Sequence, residues 1–246
     1  MSPDVTLEAF DEPWSRALCV VAHPDDLEYG ASVAVAHWTT AGREVGYVLA
    51  TAGEAGIDGL EPTRCGPLRE AEERAAAEQV GVPEVEFLGH RDGTVEYGLP
   101  LRRDIARAIR RHRPELVVTG HFGLAWGTNV GGPANQADHR HVGLAALDAC
   151  RDAGNRWIFP DLLDEGHEPW HGVRWLAVSG SPTPTHGVVV DAADLDRGVA
   201  SLEAHAAYLA GLGTDFDARA FLEAPCRATG PALGVDLAVA FERYSL

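Results

Sequence analysis

Short apolar runs alternate along the chain with longer segments of helical period, and the alternation predicts an architecture. Residues 16–22 (RALCVVA) form a run with a polar head and a Pro-Asp tail, the pattern of a strand buried on both faces. An alanine-rich helix is expected over 27–41, ended by Gly42, and a second strand over 45–51 (VGYVLAT). The unit repeats with a helix over 68–80 stopped by Gly81 and Pro83, a strand over 85–88, a helix over 101–112 and a strand over 116–119. Helical period returns over 138–153 and 195–209, with strands over 175–179 and 188–190. Such alternation implies an α/β fold, a mostly parallel central sheet flanked by helices, in a single domain spanning 1–246. After the fourth strand the regularity breaks: residues 121–137 hold Gly123, Gly127, Gly131, Gly132 and Pro133, a long segment of the kind that carries function.

Charge changes this picture more than composition does. The 246 residues are 46% hydrophobic and 23% charged, ordinary for a globular protein, yet 20 basic residues against 37 acidic ones leave a net charge of −17. That field repels phosphate backbones and anionic lipid, so neither nucleic acid nor a membrane is an expected partner. Every one of the basic residues is arginine. Without lysine the chain lacks the essential residue of Schiff-base and pyridoxal enzymes, of P-loop NTPases and of Ser-x-x-Lys acyl enzymes, and no Gly-x-Ser-x-Gly elbow occurs. Cys19, Cys65, Cys150 and Cys226 form no Cys-x-x-Cys pair and read as reduced thiols. Met1 to Trp14 hold four acids and no basic residue, unlike a secretory signal, and no apolar run reaches transmembrane length, so a cytoplasmic location is expected. The arginines from Arg102 to Arg113 are expected on a solvated helix face, and Trp38, Trp157, Trp170 and Trp175 in packing roles.

Candidate chemistry concentrates where the first strand ends, at Ala22-His23-Pro24-Asp25-Asp26. In doubly wound sheets ligands bind outside the carboxyl ends of strands, near the point where strand order reverses. Pro24 restricts His23 to extended conformations and stiffens the turn. Two adjacent carboxylates beside an imidazole repel each other unless a cation or hydrogen bonds compensate them, although an acid capping the next helix beside a packed histidine is the plainer reading. A second cluster, Asp138-His139-Arg140-His141, opens the helix after the fourth strand. With strand order 3-2-1-4 the first and fourth strands are neighbours, and His23 meets His139 across the crevice. Two imidazoles and a carboxylate with an open fourth position make a catalytic zinc site, in which Asp138 can orient a ligand histidine; helix capping by Asp138 is the alternative. His167-Glu168-Pro169-Trp170-His171 also spells His-Glu-x-x-His, but the internal Pro169 and the flanking Gly166 and Gly172 argue against the continuous helix that motif needs. Trp126 and Asn129, in the glycine-rich segment, are candidates for a wall against the substrate.

These residues resemble a known family. His23-Pro24-Asp25-Asp26, the Thr51-Ala52-Gly53-Glu54-Ala55-Gly56 segment, Arg69-x-x-Glu72, Asp92-Gly93 and Asp138-His139 appear in the order seen in the LmbE/PIG-L family of zinc-dependent N-deacetylases, over roughly the first 150 positions. The resemblance implies a Rossmann-like layered fold, one zinc ion per chain held by His23, Asp26 and His139, and Asp25 as general base. It implies a small N-acylated substrate, an amino sugar or related conjugate, contacted by Arg69 and Asp92, with Glu54 close by; Arg69 on a helix face and Asp92 in a turn are the structural alternatives. His205 resembles a late motif of the family. The chain departs from the usual His-x-Asp-His at one position, reading Gln136-Ala137-Asp138-His139. A glutamine amide donates a hydrogen bond to an oxyanion but delivers no proton, so either Asp25 returns its proton to the leaving amine or His121 serves as acid. Two other classes compete. A nucleotide-binding oxidoreductase needs Gly-x-Gly-x-x-Gly where His-Pro-Asp-Asp stands, and a silent metal- or ligand-binding relative is the reading that Gln136 raises.

Overall fold

The fold is that of a computed structural model describing residues 6–127, 132–213 and 216–246. In chain order it runs β1 (Glu8–Ala9), β2 (Arg16–Val21), α1 (Asp26–Gly30), α2 (Ser32–Thr40), β3 (Glu44–Leu49), α3 (Pro62–Gln79), β4 (Glu84–Phe87), α4 (Leu99–His112) and β5 (Leu116–Gly120). Then follow α5 (Ala137–Gly154), α6 (Asp161–Asp164), β6 (Trp175–Ser179), β7 (His186–Val189), α7 (Ala192–Glu203), α8 (Ala206–Gly211), α9 (Ala218–Thr229), a 3-10 turn (Gly230–Leu233) and β8 (Ala238–Ser245). The strands form one sheet in the order β1-β7-β8-β6-β5-β2-β3-β4. Only the pairings of β8 with β6 and β7 are antiparallel, so the sheet is mostly parallel as the alternation predicts, and β2 lies between β3 and β5.

Alternate residues of β2 feed opposite layers, because successive side chains of a strand point to opposite faces. Leu18 and Val20 pack with Leu101, Ile105 and Ile109 of α4 and Val142, Ala146 and Ala149 of α5. Cys19 and Val21 pack with Val33, Ala34 and Trp38 of α2, Leu195, Val199 and Leu202 of α7 and Leu222 of α9. Both faces of the strand are therefore dry, which accounts for its unbroken apolar run.

Several expectations need correction. The helix expected over 27–41 is two, α1 and α2, broken at Ala31 (φ −130), beside Gly30 where a Cβ would stand 2.8 Å from Ser179 Oγ. The helix expected over 195–209 is likewise α7 and α8, broken where His205 turns into the interior. The basic face of α4 is an ion-paired seam rather than a solvated one: Arg102 bonds Asp152, Arg103 pairs with Asp161 and Glu165, and the buried Arg110 donates to the carbonyls of Ala153, Asn155 and Ile158. Trp157 is 79% exposed and packs nothing. Residues 167–171 are not helical, and Glu168, Pro169, Trp170 and His171 line a separate cavity beside Arg113 and Asn155. All four cysteines are free and buried. Asn129 and Gly131 lie outside the described residues. No described helix is long and apolar enough to cross a membrane.

Candidate metal and active centre

The ends of β2, β3, β4 and β5 open into a crevice of about 590 Å³ lined by His23, Asp25, Asp26, Arg69, Asp92, His121, Trp126, Gln136 and His139. Asp26 is fixed first: its Oδ2 accepts the backbone N–H groups of Ala22 (3.0 Å) and His23 (2.9 Å). Its Oδ1 lies 3.0 Å from His139 Nε2, and His139 Nε2 lies 3.2 Å from His23 Nδ1. The two rings come from segments 116 residues apart in the chain, brought together because β2 and β5 are neighbours.

The surrounding hydrogen bonds set the tautomers. Asn135 Nδ2 donates to the carbonyls of His121 (2.7 Å) and Gly123 (3.1 Å), which leaves Asn135 Oδ1 to accept from His139 Nδ1 at 2.9 Å. His139 Nε2 is then the lone-pair nitrogen. His23 Nε2 faces Asp92 Oδ1 (3.0 Å) and Asp138 Oδ2 (3.2 Å), both acceptors, so it carries the proton and Nδ1 turns toward His139. Two lone pairs 3.2 Å apart beside a carboxylate oxygen repel unless a positive charge sits among them, and this donor set fits a divalent ion such as zinc. The field agrees. Burial opposes a charge on His23, but hydrogen bonds to Asp138, Asp26 and Asp92 overcome it and push its pKa up to about 12. Burial likewise opposes ionisation of Asp26, yet the adjoining His139 and His23 hold it well below the usual carboxylate range.

Asp25 stands beside this cluster and outside it. Its backbone is left-handed (φ 89), unusual for a residue with a side chain, and two contacts hold it there. Its N–H donates to Glu73 Oε2 at 3.2 Å, and its Oδ2 accepts from Arg69 Nη2 at 2.7 Å. Burial and the neighbouring Asp26 charge raise its pKa to about 7, against the opposing pull of Arg69 and His205. Arg69 is 1% exposed and committed internally: Nη2 also donates to Pro24 O (2.6 Å), and the guanidinium lies 3.9 Å over the Tyr208 ring. Gly53 is needed alongside, since its φ is +64 and a Cβ would meet Pro24 Cδ at 3.0 Å.

The other expected residues divide in two. Gln136, at the N-terminus of α5 with no side-chain capping bond, lines the crevice. His121 and Trp126 do so too; His121 Nε2 bonds Ala125 O (3.1 Å), and Trp126 packs its ring against His121 and His139. Glu54 and Asp92 knit loops together, Asp92 at the crevice wall and Glu54 behind it: Asp92 N–H donates to Glu54 Oε1 and Ala55 N–H to Asp92 Oδ2, each at 2.8 Å. Asp138 accepts from Gly93 N–H (2.8 Å) and Val95 N–H (3.1 Å), which carries the Asp92 turn to His23.

Four residues at the site escape the sequence reading in these roles: Asn135, Glu73, His205 and Tyr208. Asn135 had a readable signal, sitting one helical turn before His139. His205 is wholly buried, its Nδ1 3.4 Å from Arg69 Nη1 and its Nε2 3.5 Å from Glu28 Oε2 and 3.6 Å from Glu73 Oε2. Burial, reinforced by Glu28, raises the pKa of Glu73 well above its ordinary value.

Comparison with known proteins places this geometry in context. The family described as PIG-L, GlcNAc-PI de-N-acetylase, matches residues 18–150, more than half of the chain. A diacetylchitobiose deacetylase of Thermococcus kodakarensis is 31% identical over 149 residues, which are 58% of this chain and 53% of the relative. A 1D-myo-inositol 2-acetamido-2-deoxy-alpha-D-glucopyranoside deacetylase of Kineococcus radiotolerans is 31% identical over 182 aligned positions, gaps included, which cover 61% of this chain and 50% of the relative. The chain thus spans about half the length of the curated relatives it matches. Among solved structures, the N,N'-diacetylchitobiose deacetylase of Pyrococcus horikoshii superposes with a TM-score of 0.81 at 22% identity, covering 94% of this chain and 84% of that one, a likeness of fold. The match, which runs from within β2 to within α5 over the segment that builds the His23–Asp26–His139 cluster, makes this chain a member of the PIG-L family.

Proposed function

We propose that the protein is a zinc-dependent N-deacetylase that hydrolyses the amide of a small N-acylated substrate, an amino sugar or a related conjugate. One observation carries the reading: two histidine lone pairs and an Asp26 oxygen converge within 3.2 Å of His139 Nε2, with Asp25 unligated beside them in an open crevice. Its relatives deacetylate amino-sugar compounds, which supports the substrate class. His23, Asp26 and His139 would hold the ion, which supplies Lewis acidity that polarises the acyl carbonyl and makes water acidic near neutral pH.

Asp25 takes the proton of the attacking water. Arg69 occupies Oδ2, which leaves Oδ1 as the basic oxygen of a residue that lines the crevice. The Gln136 amide donates to the oxyanion that forms when water adds to the carbonyl carbon. As the carbon–nitrogen bond breaks, Asp25 passes its proton to the leaving amine, because Gln136 has none to give. Free acid and amine result. Arg69 and Asp92 act on substrate only indirectly in this scheme, the first by holding Asp25 and the second by orienting His23. Four buried thiols fit a reducing compartment, and we place the protein in the cytoplasm.

The test is Asp25→Asn, assayed for amine released from N-acetylglucosamine and N-acetylated conjugates. Wild type should turn over at least one of them, and the variant should keep its metal yet lose about a thousandfold or more in rate. Undiminished turnover in the variant would remove Asp25 as base; metal-loaded wild type inert on every compound would favour a silent binding protein.

A further inference from the structure

A second cavity, of about 630 Å³, adjoins the crevice, and Tyr29, Gly30, Gly180 and Pro225 belong to the walls of both. It differs from the crevice in charge. Among the described residues its walls carry no group charged at neutral pH: burial, with the nearby charge of Asp25, pushes Tyr29 up to about 12, and burial pushes Cys226 up to about 11. Two of its four hydroxyls are spent elsewhere, Ser32 Oγ donating to Glu28 O at 3.1 Å and Ser181 Oγ to Glu242 Oε2 at 2.5 Å, which leaves those of Tyr29 and Thr229. Most of what else faces the space is the hydrocarbon of Val33, Pro182, Pro184, Leu222 and Ala240. Two residues of the shared wall have no side chain. A Cβ on Gly30 would stand 2.8 Å from Ser179 Oγ, and one on Gly180 (φ +68) 3.1 Å from the Trp126 ring, so neither position accepts a larger residue unless the wall moves.

A sugar ring placed in this cavity would bring more hydroxyls than the two free ones of the wall can pair, and the rest would lose their water without gaining a partner, whereas an alkyl or aryl group loses nothing. We propose that the cavity is a subsite for an apolar substituent of the substrate, so that the natural substrate is amphiphilic: a polar N-acyl amine in the crevice joined to a medium-length alkyl or aryl group beside Leu222 and Ala240. The proposal rests on the deacetylase reading. The apolar group reaches the cavity either as the acyl chain itself or as a substituent on the sugar.

Two homologous series test it, N-acyl glucosamines from acetyl to decanoyl and alkyl glycosides of N-acetylglucosamine. One series should gain up to about fourfold in kcat/KM per added methylene until the cavity is full. Which series gains identifies the attachment. Ala240→Phe, which narrows the cavity, should flatten that gain and leave N-acetylglucosamine unaffected; Pro184→Trp provides the same test should the first variant fold poorly. Calorimetric binding of an alkyl glucoside that has no amide gives a readout independent of hydrolysis, expected in wild type and weakened at least tenfold in the narrowed variant. Hydrolysis indifferent to chain length in both series, or probe binding untouched by the narrowing, overturns the subsite. Probe binding without hydrolysis of any compound would keep the subsite and overturn the deacetylase reading.

Discussion

Asp25 lies where the demands on individual residues conflict most. A left-handed aspartate costs about 1–3 kcal/mol of backbone strain, sustained here by Arg69 and Glu73 from α3. Glu73 gives that support as the acceptor of the Asp25 N–H, a role that either protonation state fills. Its pKa is raised in the folded state, so the unfolded chain releases the proton first as pH rises, and folding stability is lost between the unfolded and folded values. Glu73→Gln, which mimics the protonated acid, should therefore raise the melting temperature at neutral and alkaline pH and change it little below pH 4; a variant less stable than wild type at pH 8 would contradict this. Asn135 makes a comparable point about His139. Asn135→Ala removes the acceptor that fixes the imidazole and should weaken zinc binding by about tenfold to a hundredfold in chelator competition, with the protein still folded; unchanged affinity would show that α5 alone orients the ring. His23, Asp25, Asp26 and His139 were legible in the sequence because their signal is local, a stiff strand-to-helix turn and a helix start. Glu73 was not, and His205 showed only as a resemblance to a late motif with no role attached: their roles come from contacts across 48 and 136 residues.

Among the elements, the corner between α7 and α8 does more than fill space. Continuous helical period through 195–209 predicts one helix, and the break exists because His205 is drawn inward against Arg69, Glu28 and Glu73. Ala207 N–H closes the corner on Glu72 Oε1 at 2.5 Å, and Tyr208 supplies the ring beneath Arg69. A segment beyond the family match thus braces the residue that holds the base. His205→Ala should lower kcat by on the order of tenfold to a hundredfold with KM and metal content unchanged, and His205→Asn, which keeps a polar atom near Arg69, should recover part of the loss. Equal kcat in wild type and both variants would contradict a positioning role. The split of α1 from α2 was equally hidden, since Ala31 lies within an unbroken alanine-rich period and only the approach of Ser179 reveals why the chain turns. Arg110 shows the reverse case, a residue that reads as surface charge and proves to be a buried cap for the carbonyls after α5.

For the molecule as a whole, the parallel half was readable because each buried strand is an apolar run and each covering helix has its own period. The strand order that brings His23 to His139 followed from that alternation. The antiparallel insertion of β8 between β6 and β7 was not foreseen: Ala238–Ser245 mixes apolar and charged residues, and only its pairing with two strands, one of them 186–189, makes it central. The acidity of the whole chain, net −17, is consistent with a centre that attracts positive charge, although that attraction is set by Asp26, Asp92 and Asp138 rather than by the total. The account rests on the ion that His23, Asp26 and His139 are arranged to hold. Elemental analysis of purified wild type and His139→Ala, each checked for native circular dichroism, tests this most directly. Wild type should contain about one zinc ion per chain and the variant close to none; a folded, active wild type free of divalent metal, or a variant with the same metal content as wild type, would contradict it.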